Sequence, residues 1–129
     1  MPKIPATVLY IEDNLDNRLL VKRILEAEGY AVLEAGNGSE GLKLLYEYHP
    51  NLVLLDINLP EIDGITLAKF IRNDPRFEKM PIVAITADLF RGDEDKTLSA
   101  GCNGYIQKPI DVDLLPSFIE KFFELDRGL

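Results

Sequence analysis

Histidine and cysteine are almost missing from this chain, with His49 and Cys102 as the sole examples. A single cysteine rules out an internal disulfide. A single histidine rules out a multi-histidine metal site. His49 lies in Tyr48-His49-Pro50, just ahead of an apolar run, and reads as a surface residue. Positive charge is also scarce: 14 Lys and Arg face 22 Asp and Glu, a net charge of −8 and a sequence pI near 4.6. Phosphate backbones repel such a chain, so it is a poor direct binder of nucleic acid; a cation would suit it well. No apolar run reaches the roughly 18 residues of a membrane span, and no secretory leader pattern is present. These absences point to a cytoplasmic chain with neither nucleic acid nor membrane as a direct partner. No linker, low-complexity stretch or second domain interrupts the 129 residues. One domain over 1–129 is expected, with a core over about 6–126, and that length suffices to bury it. The initial methionine and the end soon after the last helical pattern favour a stand-alone domain.

What is present is a series of short apolar runs that end in polar residues. The most apolar is Leu52-Val53-Leu54-Leu55, followed by Asp56 and then by Pro60 and the turn Glu61-Ile62-Asp63-Gly64. A short continuous run of this kind fits a strand buried on both faces, as in a parallel sheet. Residues 7–11 (Thr-Val-Leu-Tyr-Ile), Tyr30–Glu34, Pro81–Thr86 and Tyr105–Gln107 read as further strands. Between them lie helical patterns. The first has Leu15, Leu19, Leu20, Ile24 and Leu25 at helical spacing; Asn14 or Asp16 can cap it and Gly29 stops it. The second spans 39–48 with Leu42 and Leu45 inward, and the third runs from Ile65 to Ile71. A weak one covers 91–100, with Gly92 and several charges inside it. The last spans 112–125, with Leu114, Leu115, Phe118, Ile119 and Phe122 inward. Strict β-α alternation predicts an α/β fold: a five-stranded parallel sheet with helices on both faces.

In a parallel sheet every strand delivers its last residue to the same edge. Here that edge collects Glu12 and Asp13, Asp56, Thr86 and Lys108. Three carboxylates together repel one another unless a cation sits among them. Oxygen-only ligands suit Mg²⁺, which keeps several waters and usually binds a phosphate oxygen as well. A lysine and a hydroxyl opposite complete a site for a transferring phosphoryl group. A carboxylate can act as the nucleophile, and Asp56, central and following the most apolar strand, is the best candidate.

These motifs resemble the response-regulator receiver domain of two-component signalling, of the single-domain chemotaxis or cell-division-regulator type. The matching features are Glu12-Asp13, the segment Asp56–Gly64, Thr86-Ala87, and Tyr105 followed by Lys108-Pro109; the resemblance covers essentially the whole chain. It implies a doubly wound, flavodoxin-like (βα)5 sheet of order 2-1-3-4-5. It implies that Asp56 is the phosphoacceptor for a phosphohistidine of a histidine kinase or histidine phosphotransfer protein. It also implies that Asp13, Asp56 and the Asn58 backbone carbonyl bind Mg²⁺, that Glu12 assists through water, and that Thr86 and Lys108 hold the phosphoryl oxygens. Tyr105 would reorient when Thr86 moves, and the Lys108–Pro109 bond would be cis. Asn58 and Asp88 would tune hydrolysis of the acyl phosphate. The protein would be no enzyme beyond its own phosphorylation and dephosphorylation. Its output would run through contact of a downstream protein with the face built by 91–100, the fifth strand and the final helix. A rival motif is Gly36-Asn37-Gly38-Ser39-Glu40-Gly41, which matches G-x-G-x-x-G, with Asp56 20 residues after Gly36, as in a dinucleotide-binding enzyme. Against that reading, Glu40 would repel a pyrophosphate, one βαβ unit makes only half a dinucleotide site, and Glu12, Asp13, Thr86 and Lys108 would have no task.

Overall fold

The structure, a computed structural model, describes residues 6–87 and 93–126. Five strands, β1 (Thr7–Ile11), β2 (Ala31–Ala35), β3 (Leu52–Asp56), β4 (Ile82–Thr86) and β5 (Gly104–Gln107), alternate with helices α1 (Leu15–Ala27), α2 (Gly38–Tyr48), α3 (Gly64–Arg72), α4 (Asp93–Ser99) and α5 (Leu115–Asp126). The sheet is parallel throughout, in the order β2-β1-β3-β4-β5, as the resemblance implies.

Side-chain alternation along the strands builds two cores. Leu9, Ile11, Val53, Leu55, Ile82 and Ala84 face Leu45 of α2 and Leu67, Ala68 and Ile71 of α3. The intervening residues, Val8, Tyr10, Leu52, Leu54, Val83 and Ile85, face Val21 and Leu25 of α1 and Leu115, Ile119 and Phe123 of α5. Strands buried on both sides explain why β3 and β4 read as unbroken apolar runs. Helices α1, α2 and α3 start at side-chain caps: the carboxamide oxygens of Asn14 and Asn37 accept from Asn17 N and Glu40 N at 2.9 and 2.8 Å, and Asp63 accepts from Thr66 N at 2.8 Å. Each cap satisfies a backbone donor that the helix itself leaves open.

Several boundaries and faces differ from the sequence reading. Leu15, Leu19 and Leu20 are 54%, 47% and 49% exposed, so α1 packs through Val21 and Leu25 alone among its fully buried residues. The last helix begins at Leu115 rather than 112, after a turn in which the Asp111 carboxylate accepts from Asp113 N at 3.0 Å. Leu114 therefore falls outside α5 and is 62% exposed, while Phe123 takes an inward place. β2 starts one residue later than expected, and β5 one residue earlier. A short 3-10 turn, Pro75–Phe77, capped by Asp74, had no counterpart in the periodicity. The weak helix expected over 91–100 is described from Asp93 to Ser99, and Asp88, Arg91 and Gly92 lie outside the described residues.

The α3 N-terminus is pressed against the end of β3. A Cβ at Gly64 would lie 2.5 Å from the Asp56 carbonyl oxygen and 2.6 Å from Ile57 Cα, both backbone atoms that cannot swing aside. Gly64→Ala should therefore cost about 1–3 kcal/mol of stability through overpacking, measured by urea denaturation. A change within a few tenths of a kcal/mol would show that this junction is looser than the structure has it.

Candidate functional site

The β1–β3 register carries the acidic residues together. Ile11 pairs with Leu55, so the next residues, Glu12 and Asp56, reach the edge at the same level. Both are buried, each 1% exposed. Asp13 follows on the exposed lip, and carboxylate oxygens of Glu12, Asp13 and Asp56 all lie within 4.8 Å of one another. Lys108, in the loop after β5, reaches across: its Nζ is 3.0 Å from Asp56 Oδ2 and 3.6 Å from Glu12 Oε1. The other Asp56 oxygen, Oδ1, accepts from the Asn58 backbone N–H at 2.9 Å. The Lys108 loop is tied to β4, because Lys108 N donates to the Thr86 carbonyl at 2.8 Å, and the Lys108–Pro109 bond is cis. Thr86 ends β4 fully buried.

Strand alternation divides these groups. Thr86 continues the face of Ile82 and Ala84, where half-buried Tyr105 packs. Glu12 continues the face of Val8 and Tyr10. The structure thus gathers Glu12, Asp13, Asp56 and Lys108 into one cluster, with Asn58 donating from its backbone. It places Thr86 beside them at the next strand end, and Tyr105 lower on β5, where it is in register with Ala84.

The electrostatics follow from burial. Burial first, then a hydrogen bond with Asp56 and the Asp56 charge, pushes the Glu12 carboxyl up to about 7, against the pull of the Asn14 N–H and the Lys108 charge. For Lys108, burial acts to lower the pKa, but the Asp56 bond and the Asp56 and Glu12 charges outweigh it, and the ammonium is held more firmly than usual. One ammonium cannot neutralise three carboxylates. An oxygen-only donor set of surplus negative charge, two members buried and one open to water, is chemically suited to a hard divalent cation such as Mg²⁺.

Three hydrogen bonds around Glu12 were not anticipated from the sequence. The Tyr10 hydroxyl donates to Glu12 Oε1 at 3.3 Å, Asn14 N donates to Glu12 Oε2 at 3.2 Å, and Arg18 Nη1 donates to the Glu12 carbonyl at 2.7 Å. The two-residue period of a strand could have found Tyr10, which shares its face with Glu12. The glycine-rich segment has a packing role instead of a cofactor role. A Cβ at Gly38 would collide with the Ile62 side chain, and one at Gly41 would meet the Ile11 side chain at 2.5 Å. The Glu40 carboxylate already accepts from Gly36 N at 3.3 Å, where a pyrophosphate would have to sit.

A doubly wound parallel sheet with an acidic cluster and a lysine at its carboxyl edge defines the class of phosphoacceptor signalling domains, and comparison with known proteins agrees. The family model for the response regulator receiver domain matches residues 8–120. The polar-differentiation response regulator DivK of Brucella anthropi is 40% identical over 117 residues, 91% of this chain and 93% of that protein. A putative response regulator from Chloroflexus aurantiacus superposes with a TM-score of 0.89 at 30% identity, covering 94% of this chain and 99% of that one. The receiver domain of a sensor histidine kinase from Pseudomonas aeruginosa, whose structure has a magnesium ion coordinated in its active-site cleft, superposes with a TM-score of 0.86 at 27% identity, covering 94% of this chain and 99% of that one. The chain belongs to the response regulator receiver domain family of two-component signalling.

The raised pKa of Glu12 has a signed consequence. Between its ordinary value of 4.5 and its folded value of about 7, the folded state keeps a proton that the unfolded state has released. Stability in the absence of divalent cation therefore falls as pH rises through that window. Glu12→Gln, which mimics the protonated form, should gain on the wild type by up to about 1.4 kcal/mol per pH unit there. Denaturation curves in EDTA at several pH values would check this; parallel pH profiles for the two proteins would contradict it.

Proposed function

We propose that the chain is a phosphoacceptor that takes a phosphoryl group onto Asp56 from the phosphohistidine of a histidine kinase or histidine phosphotransfer protein. The observation that carries this is the buried Asp56 carboxylate at the central strand end, with Lys108 Nζ 3.0 Å away and the Glu12 and Asp13 oxygens beside it. In the transfer, an Asp56 oxygen forms the new P–O bond as the P–N bond breaks, and the electron pair of that bond stays on the imidazole nitrogen. Lys108, already bound to Asp56 Oδ2, moves with little reorganisation onto a phosphoryl oxygen, and the Thr86 hydroxyl takes another. Asp13, Asp56 and the Asn58 carbonyl would hold Mg²⁺, with Glu12 assisting through water. Bound there, the ion would offset negative charge on the phosphoryl oxygens. The chain's own groups make up this machinery, so it is no enzyme beyond its own phosphorylation and dephosphorylation. Asn58, exposed beside Asp56, is placed to influence the water that ends the phosphorylated state.

The donor must bring its histidine over the lip at Asp13. Exposed Leu15, Leu19 and Leu20 of α1 begin beside that lip, and Leu20 shares a groove with Lys108, Pro109 and Ile110. Exposed leucines grouped at a reaction centre mark a protein-docking surface. Output runs through a second groove, lined by Tyr105, Ile106, Pro109, Ile110, Leu114 and Phe118. Movement of Thr86 toward a phosphoryl group would free space on the face it shares with Tyr105, biasing a two-state rearrangement read by a downstream protein. No helix among the described residues is long and apolar enough to cross a membrane, and the cytoplasm is the compartment in which such donors act.

Acetyl phosphate with Mg²⁺ should add one phosphoryl group to the wild type, and Asp56→Ala should lose it, as read by intact mass. Leu20→Asp should keep acetyl phosphate labelling but slow transfer from a phosphorylated histidine donor roughly tenfold or more, the loss expected from an interface contact worth about 1.4 kcal/mol. Undiminished labelling of Asp56→Ala would reject the acceptor, and equal transfer to Leu20→Asp would move the donor surface elsewhere.

A further inference from the structure

We propose that Tyr10 is a positioning residue of this site, its buried hydroxyl setting the direction in which Glu12 presents its carboxylate to Mg²⁺ and the water between them. The inference rests on the proposal above that Glu12 assists Mg²⁺ binding, and it adds a residue from the core beneath.

Tyr10 is fully buried among Val8, Val21, Leu25, Leu52 and Leu54. A phenol in such surroundings needs a partner for its hydroxyl, since an unbonded polar group out of water is costly. It finds that partner in Glu12 Oε1 at 3.3 Å. The strand period makes this contact possible, because residues two apart project from the same face. The Glu12 carboxylate is then held from both sides. Oε1 takes the hydroxyl from below, and Oε2 takes the Asn14 N–H at 3.2 Å from the loop above. Arg18, bonded to the Glu12 carbonyl at 2.7 Å, fixes the backbone from which the side chain springs.

Without the hydroxyl, Oε1 would be left with Lys108 Nζ, 3.6 Å away, and the neighbouring Asp56 carboxyl. The carboxylate would then be free to turn toward that ammonium, and away from an ion bound at the lip. Lys108 would in turn be drawn from Asp56, its closer partner. Partners that orient a group next to a metal ion typically change affinity or activity by 10–100-fold when removed. Tyr10→Phe isolates this effect, since the ring stays to fill the core and only the hydroxyl is lost.

The test is calorimetric titration of Mg²⁺ into the full chain, with melting temperature measured alongside in EDTA. Tyr10→Phe should bind Mg²⁺ about tenfold more weakly while melting close to the wild type. Val21→Ala loosens the same core without touching the hydroxyl; it should melt lower and keep wild-type affinity. An unchanged Mg²⁺ affinity in Tyr10→Phe would overturn the proposal, as would an equal loss of affinity in Val21→Ala, which would mark Tyr10 as packing alone. Asp13→Ala separates the two levels. If it abolishes Mg²⁺ binding and Tyr10→Phe does not weaken it, only the role of Tyr10 fails. If Asp13→Ala binds as the wild type does, the metal site is elsewhere and the role of Tyr10 falls with it.

Discussion

Two carboxylates are held out of water at neighbouring strand ends, and much of the molecule serves to keep them there. Glu12 and Asp56 reach the same level because β1 and β3 pair in register, with Ile11 opposite Leu55. That register is in turn secured by apolar side chains on both faces of the sheet, where a slip of one residue would exchange the two cores. Like charges at this separation are unfavourable, and Lys108 offsets only part of the repulsion. Its loop is anchored to β4 through the Thr86 carbonyl, so the ammonium is delivered by the sheet. The core stabilises the fold enough to carry an electrostatic surplus at one edge, and that surplus suits the edge to a hard divalent cation.

The same alternation that makes two cores also separates two tasks. Glu12, Tyr10 and the packing of α1 and α5 lie on one face. Tyr105 lies on the other, packed against the α3 side and beside the face that Thr86 continues. Asp56 follows Leu52 and Leu54 on the first face and is in register with Ile85, the residue before Thr86. Under the proposed function, a change at one carboxylate can alter metal binding on the first face and the shape of the second without any long-range relay.

Much of this was legible in the sequence for a physical reason. Strands buried on both faces leave unbroken apolar runs, such as Leu52–Leu55 and Ile82–Ile85, and parallel strands make the next residue of each run meet the others. The strand-end residues Glu12, Asp13, Asp56 and Lys108 therefore group together on the residue pattern alone. What periodicity left open in the first helix was direction. Leu15, Leu19 and Leu20 repeat at helical spacing, but spacing alone does not tell a core-facing stripe from an exposed one; α1 turns Val21 and Leu25 inward instead. Leu114 continues the apolar pattern of the last helix, whereas the turn made by Asp111 precedes that helix, which begins at Leu115. The Gly36–Gly41 spacing matched a phosphate loop, yet Gly38 and Gly41 are small because Ile62 and Ile11 press on them. Tyr10 read only as part of the first strand, and its hydroxyl bond to Glu12 depends on side-chain geometry that a residue pattern does not encode.

Under the proposed function, the carboxyl edge of the sheet is one assembled site for a phosphoryl group on Asp56. A crystal structure grown with Mg²⁺ and beryllofluoride, which mimics an aspartyl phosphate, tests it most directly. Beryllium should be bonded to an Asp56 oxygen, with Lys108 Nζ and the Thr86 hydroxyl on its fluorines and a metal ion between Asp13 and Asp56. Beryllofluoride bound at another carboxylate, or a metal ion away from Asp13, would contradict it.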